Sequence, residues 1–263
     1  MKRWLLSMAM ALGTTMVLTP AQAGEPLSFF TEEWIPFNFA TESGEVDGFT
    51  TAIVKRISQK LGTKVSIELQ PWSRALKNAQ STKNSAIYSI YRNQEREKFF
   101  KWVGPLYQVE TVLWGLKEKN LSIKTLEDAK KYTIAVQADS AYITALDKKG
   151  FDKKKVMAIY TTQEIEMVIR GVVDLVPLSI LSIPKLNVRL KEQQTKVGVG
   201  DVHWRPYVTL FSDGLYLGFN IDTPDETISE WQKELDRLKA SPFYKDLEKT
   251  HISPILNDAN AYR

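Results

Sequence analysis

Arg92 and Arg96, four residues apart, are the side chains of this chain best suited to hold an anion. They follow a short apolar run, Ala86–Ile90, that reads as a strand, and precede an aromatic block of Phe99, Phe100 and Trp102. Gly104-Pro105 then stops any helix. A guanidinium offers a carboxylate two parallel charge-assisted hydrogen bonds, so a strand delivering an arginine into a turn presents an anion site at a cleft. Both arginines also fit a solvated turn beside Glu95 and Glu97, and the local sequence leaves the two readings open.

Two aromatic side chains share that placement. Trp34 follows the strand-like run Leu27–Thr31, and Trp72 follows Val65–Leu69. Binding sites in open α/β sheets collect at the carboxyl ends of strands, so Trp34, Trp72 and Arg96 converge if those strands are neighbours. Two aromatic faces and a guanidinium would sandwich and orient a small organic acid. Ordinary core packing is the alternative for both tryptophans.

Several other chemistries find no residues here. With no cysteine in 263 residues, disulfides, thiolate-held zinc, iron–sulfur clusters and a cysteine-linked lipid are all ruled out. His203 and His251 stand alone, outside any paired metal-binding or catalytic spacing. There is no G-x-S-x-G elbow and no phosphate-binding loop, and Gly198-x-Gly200 lacks the third glycine of a dinucleotide turn. No cofactor, metal site or catalytic residue is therefore expected. The whole chain carries +4, but its first 23 residues hold two of the 35 Lys and Arg and none of the 31 Asp and Glu. The remainder carries only +2, so nucleic acid is not an expected partner. Lys130-Lys131 and Lys153-Lys154-Lys155 read as solvated surface.

Residues 1–23 have the layout of an export signal: Lys2 and Arg3, an apolar stretch from Trp4 to Leu18, Pro20, and Ala21-Gln22-Ala23 as the cleavage site. The apolar stretch is short and interrupted by Ser7, Thr14 and Thr15, whereas a membrane span needs about 20 apolar residues. Export to the periplasm without a lipid anchor is the expectation.

Beyond the leader, strand-like and helical patterns alternate. Strands are expected at Leu27–Thr31, Val65–Leu69, Ala86–Ile90, Glu110–Leu116, Tyr132–Val136, Val156–Tyr160, Asp174–Pro177 and Leu215–Asn220. Helices are expected around Ile53, Val54, Ile57 and Leu61 with Gly62 as the stop, over Trp72–Gln80 and over Ala141–Lys149 before Gly150. Capping patterns begin further helices at Thr125-x-x-Asp128, Thr161-x-x-Glu164 and Thr223-Pro224-x-Glu226, and Pro184 sits near the start of another. The last of the capped helices would bury Ile228, Trp231, Leu235 and Leu238. Such alternation implies α/β units with mainly parallel sheets.

Three segments in order carry a family resemblance: Trp34-Ile35-Pro36-Phe37 with Gly48-Phe49, then Pro71-Trp72-Ser73-Arg74-Ala75-Leu76, then Asn93-Gln94-Glu95-Arg96 leading to Trp102-Val103-Gly104-Pro105-Leu106-Tyr107. Together they resemble the periplasmic solute-binding proteins of polar amino-acid ABC transporters, family 3. The resemblance implies a two-lobed α/β fold of the type II periplasmic binding protein class. Each lobe is a mainly parallel sheet flanked by helices, and two hinge strands join them. It assigns residues 24–112 and 213–263 to one lobe and 113–212 to the other, with crossings near Leu113 and Ser212.

The same resemblance assigns roles. Arg96 would clamp a carboxylate, Trp34 and Trp72 would stack on the ligand, and Ser89 and Tyr91 would add hydrogen bonds, Tyr91 being larger than the family's usual threonine. Arg74 is either a second anion partner or a surface residue. On the second lobe, Gln137-Ala138-Asp139-Ser140-Ala141 is similar to the family's K-x-G-T-G loop but has neither the lysine nor the glycines, which leaves Ser140 as its best contact. Ser179 stands where amino-acid binders place an aspartate for the ligand's ammonium. Either Glu32, Glu33 or Asp139 supplies that charge, or the ligand is no α-amino acid.

The resemblance thus implies a monomeric, non-enzymatic protein that captures a small polar, carboxylate-bearing solute and hands it to an ABC-type permease. Two alternatives share the scaffold: a dehydratase of the cyclohexadienyl type, and a sensory protein presenting its ligand to a membrane receptor.

Overall fold

A computed structural model describes residues 26–160, 163–198 and 200–262. The leader and Thr161 lie outside the described residues. The first unit runs β1 (Leu27–Thr31), β2 (Phe39–Ala40), β3 (Val46–Asp47), α1 (Phe49–Leu61), β4 (Val65–Leu69), α2 (Trp72–Ser81) and β5 (Ser85–Tyr91). β6 (Phe100–Leu116) leads into α3 (Leu126–Ala129), β7 (Ile134–Gln137), α4 (Ala141–Lys148), β8 (Val156–Ile159), α5 (Glu164–Ile169), β9 (Val176–Ser179) and α6 (Ile183–Val197). β10 (Trp204–Asn220) then returns to α7 (Asp225–Lys239), α8 (Pro242–Leu247) and α9 (Ser253–Tyr262).

β6 and β10 are both 17 residues long and pair antiparallel from Trp204↔Leu116 to Asn220↔Phe100. At one end β10 also pairs with β5, and β1 and β4 continue the sheet in parallel, giving the order β4-β1-β5-β10-β6. At the other end β6 pairs with β9 from Thr111 onward. β9 meets β7 through the Ile134↔Leu175 bridge, and β7 pairs in parallel with β8. The second order is therefore β8-β7-β9-β6-β10, the same scheme repeated with the long strands exchanged. The two lobes are one topology used twice.

The long strands extend further than expected. Leu217 pairs with Val103 and Leu215 with Tyr107, with a register shift between them, so Gly104-Pro105 sits at a bulge. A proline breaks a ladder least at a bulge, and β6 passes through the residues that stop a helix.

Local signals explain most of the remaining elements. Gly62 closes α1 in the left-handed conformation at φ 67. Thr125 and Asp128 form a reciprocal capping box, with Thr125 Oγ1 accepting from the Asp128 N–H and Asp128 Oδ2 from the Thr125 N–H. The expected cap at Thr223 does not form: α7 is preceded by Pro224 in an extended conformation, and the Thr223 hydroxyl is buried with no hydrogen-bond partner. Asp225 and Glu226 in the first turn still complement the helix dipole. α7 buries Trp231, Leu235 and Leu238 against β6 and α1, while Ile228 is half-buried.

The last described helix reaches the second lobe. After a π-helical turn at Glu248–Ile252, α9 packs on α6 and the turn Ile180–Ser182, both part of the second lobe. No helix among the described residues is long and apolar enough to cross a membrane.

Candidate functional site

The carboxyl ends of β1 and β5 on one lobe face those of β7 and β9 on the other. β1 delivers Glu32 and Trp34, and β5 delivers Ser89 and Tyr91 before the turn that carries Arg96. α2 opens with Trp72. From the second lobe come Gln137, Asp139 and Ser140 after β7, Tyr142 on α4, Glu164 opening α5, and Ser182 and Lys185 around the start of α6.

Arg96 is only 5% exposed. Its Nη1 donates to the Tyr91 carbonyl at 2.7 Å, its Nη2 to the Asp139 carbonyl at 2.9 Å, and its guanidinium lies 5.1 Å from the Trp72 ring centre. Among the described residues no carboxylate forms an ion pair with it, so a fixed cation is held in a desolvated place by neutral carbonyls. Burial draws its pKa down to about 10, which keeps it protonated at neutral pH.

The aromatic walls are assembled around it. Trp34 lies 5.8 Å from Tyr91, Tyr91 6.2 Å from Tyr142 and 5.2 Å from Phe211. Tyr91 is buried, with its hydroxyl 3.1 Å from Thr111 Oγ1. Ser89, at φ 60 inside a strand, is buried and hydrogen-bonded to Asn38 Oδ1 and, at 2.7 Å, to Thr50 Oγ1. Its hydroxyl pins the loop after β1 to the start of α1, so its side chain is already committed.

Asp139 explains how the second-lobe loop works without glycine. It adopts φ 59, the left-handed region that Asp tolerates better than most residues, in the position of the family loop's first glycine. This turns its carbonyl toward the other lobe, where it accepts from Arg96 Nη2 and, at 3.0 Å, from Trp72 Nε1. Gln137 Nε2 donates to Glu32 Oε2 at 2.7 Å across the same cleft. Thr144 Oγ1 on α4 adds a longer contact, donating to the Glu95 carboxylate at 3.3 Å, so these bonds join the lobes. Ser140, next in the loop, has a buried hydroxyl with no partner.

Two small chambers lie between the lobes. The first, about 20 Å³, is bounded by Arg96, Trp34, Trp72, Ser89, Tyr91 and Ser140 together with Glu32, Gln137 and Tyr142. The second, about 30 Å³, shares Glu32, Trp34, Gln137 and Tyr142 and continues to Glu164, Ser182 and Lys185. At these volumes a solute larger than a water requires the lobes or side chains to give way. A wider groove of about 890 Å³ lies on the outer surface between β6 and α7, but it is open and its charges pair locally, as Arg92 with Glu97 and Lys101 with Asp225.

Six of the seven expected contacts therefore meet at one cavity: Trp34, Trp72, Ser89, Tyr91, Arg96 and Ser140. Ser179 does not line either chamber; it is fully buried, and its hydroxyl accepts from the Leu181 N–H at 3.0 Å to cap a short turn. Arg74 is exposed on α2 and outside both chambers. Of the three acids weighed, Glu32 brings its carboxyl into the cleft, where desolvation raises its pKa, an effect opposed by Gln137, Lys185 and Arg96. Asp139 contributes only its carbonyl, and exposed Glu33 reaches only the second chamber.

Sequence reasoning missed Glu164, Tyr142 and Lys185. Glu164 reads as the acid of a capping box, yet it is 3% exposed, and desolvation raises its pKa. Tyr142 could have been found as the residue two beyond Ser140 on the inner face of α4. Lys185 gave no signal. No group of three or more potential metal ligands is clustered among the described residues.

The chain is 27% identical over 130 residues to the probable amino-acid-binding protein YxeM of Bacillus subtilis, covering 49% of this chain and 48% of that one, so the match spans about half of that relative's length. It is 26% identical over 186 residues to a probable amino-acid ABC transporter-binding protein of Haemophilus influenzae, covering 65% and 70% of the two chains. A histidine kinase sensor domain with similarity to periplasmic binding proteins superposes with a TM-score of 0.74 at 14% identity, over 88% of this chain and 97% of the other, a likeness of fold. The model of the bacterial extracellular solute-binding proteins, family 3, matches residues 28–254, and the chain belongs to that family.

Proposed function

We propose that this protein binds a small α-amino acid between its lobes and delivers it to an ABC-type permease, without catalysing a reaction on it. The observation that carries the reading is Arg96: a guanidinium 5% exposed, with no carboxylate partner among the described residues, facing a chamber between the lobes. A ligand carboxylate completes it with charge-assisted hydrogen bonds. Glu32, in the same chamber, takes the role of the absent aspartate at Ser179 and receives the ammonium. Trp34, Trp72, Tyr91 and Tyr142 enclose the backbone of the ligand, and Ser140 with the free N–H groups at the start of α4 closes over it from the second lobe.

β6 and β10, crossing near Leu113 and Ser212, act as the hinge of a monomer made of residues 24–112, 113–212 and 213 onward. The likeness to two probable amino-acid-binding proteins supports the substrate class, and the second, a probable ABC transporter-binding protein, supports a transporter partner. The export leader read in residues 1–23 supports work in the periplasm.

A thermal-shift panel on the protein refolded from denaturant tests this. It contains L-amino acids, the matching carboxylic acids without the amino group, and the matching amines without the carboxylate. A ligand at 100 times its dissociation constant stabilises the fold by ~2.7 kcal/mol, a shift of several degrees. The expected result is a response to α-amino acids alone. A response to plain carboxylates of equal size would remove Glu32 from its role, and a response to none of the three classes would overturn the reading.

A further inference from the structure

The chamber beyond Glu32 has polar atoms that the family resemblance does not account for. Glu164, 3% exposed, has its Oε2 buried without a hydrogen-bond partner. Ser182, 1% exposed, has a hydroxyl in the same condition and makes no cap to α6, although it immediately precedes that helix. Lys185, one helical turn on, reaches the same space. Its charge acts on both Glu164 and Glu32, yet it lies within ion-pair distance, 4.0 Å, of neither. Most buried polar groups in folded proteins are paired, and two orphaned oxygens beside an unpaired ammonium in one chamber form a built site rather than a packing accident.

The chemistry of an occupant follows from what is missing. Glu164 needs a donor, Lys185 needs an acceptor, and Ser182 serves either. Charge narrows the choice. Arg96, Glu32, Glu164 and Lys185 sum to zero, Glu33 at the edge of the chamber being exposed and solvated, and a zwitterion with an uncharged side chain keeps that balance in the closed cleft. A cationic side chain would add an uncompensated positive charge next to Lys185, and an anionic one an uncompensated negative charge next to Glu164. An apolar end would leave all three groups unmet.

We propose that the chamber of Glu164, Ser182 and Lys185 is the side-chain subsite, and that it selects neutral α-amino acids whose side chain ends in a carboxamide. The amide N–H groups donate to Glu164, and its carbonyl accepts from Lys185 and Ser182. The shared walls, Trp34, Gln137 and Tyr142, make this chamber adjacent to the one at Arg96, and a ligand that parts the Gln137–Glu32 contact between them spans both. This rests on the α-amino-acid reading above.

Calorimetric titration of the refolded protein with L-glutamine, L-asparagine, L-glutamate, L-lysine, L-arginine, L-norvaline and L-alanine tests it. The better carboxamide is expected to bind at least tenfold tighter than every other ligand in the set. Glu164→Gln and Lys185→Met are each expected to cut the ratio of carboxamide to alanine affinity tenfold or more, with circular dichroism confirming the fold of each. Tighter binding of lysine, arginine, glutamate or norvaline overturns the subsite while leaving the α-amino-acid reading standing. So does a variant that weakens carboxamide and alanine in proportion, which would mean that the residue only shapes the lobe. Binding of no α-amino acid overturns both.

Discussion

A carboxylate held at 3% exposure with an unpartnered oxygen costs the folded protein stability, and Glu164 is in that position. Glu164→Gln keeps the shape and removes the charge, so it is expected to stabilise the protein at neutral pH by about 1–3 kcal/mol, a few degrees in Tm. The pH dependence has a defined sign. Desolvation raises the Glu164 pKa above 4.5, opposed by Lys185 and Arg189 and reinforced by Glu166. A raised carboxyl binds its proton more tightly folded than unfolded, so its favourable contribution is complete below pH about 4.5 and is lost as pH rises through the raised value. Thermal scans should therefore show the variant's advantage small near pH 4 and growing toward pH 7; an advantage that shrinks with rising pH contradicts the assignment. Glu32 shifts in the same direction for the same first cause, and Glu32→Gln should cost affinity for α-amino acids while leaving the matching plain carboxylates little changed. Arg96, Trp34 and Trp72 were legible in the sequence because each follows its strand in a short motif. Glu164 was not, because α5 is only six residues long and too short for periodicity to say which way its first residue points.

At the level of elements, the motif residue Gly48 has a backbone reason. It sits at φ 119, and a Cβ placed on it would lie 2.5 Å from the Phe37 carbonyl oxygen. Any side chain must push the Trp34–Asn38 loop off the start of α1, where Thr50 donates to that same carbonyl at 2.8 Å. Gly48→Ala is expected to lower stability by about 2 kcal/mol or more and to weaken ligand binding with it, since the loop carries Trp34; urea unfolding and titration of the same sample check both. Trp231, fully buried against Phe29 and Phe219, should cost ~3–5 kcal/mol on change to Ala, read as a lower denaturation midpoint. β1, β4 and α2 fall almost where hydrophobic spacing put them: β1 and α2 bury apolar residues at their own period, and β4 pairs with β1 along its whole length. The full lengths of β6 and β10 did not, since their pairing partners lie about a hundred residues away and Gly104-Pro105 reads locally as a break. Thr223 misled for the opposite reason: its pattern was correct and its backbone did not follow it.

Over the whole molecule, closure is held by few bonds. The Asp139 carbonyl receives Arg96 and Trp72, Gln137 meets Glu32, and Thr144 reaches the Glu95 carboxylate, each bond running between opposite lobes. Trp72→Phe removes one of these and retains the ring, so it should loosen closure by about 0.5–1.5 kcal/mol, visible as a larger radius of gyration in small-angle scattering of the free protein. An unchanged radius would mean that packing, not the latch, holds the lobes. The two-lobed plan was legible through family resemblance, whereas the contact of α9 with the second lobe was not, because a C-terminal amphipathic helix carries no mark of the surface it will cover. The central claim concerns Arg96, and the most direct test is calorimetric titration of the best-binding L-amino acid into wild type and Arg96→Ala, with a thermal scan of each. Two charge-assisted hydrogen bonds at ~1.5–3 kcal/mol apiece predict a loss of more than a hundredfold in affinity with cooperative unfolding retained. Affinity unchanged within twofold in the folded variant would contradict the carboxylate clamp and the account built on it.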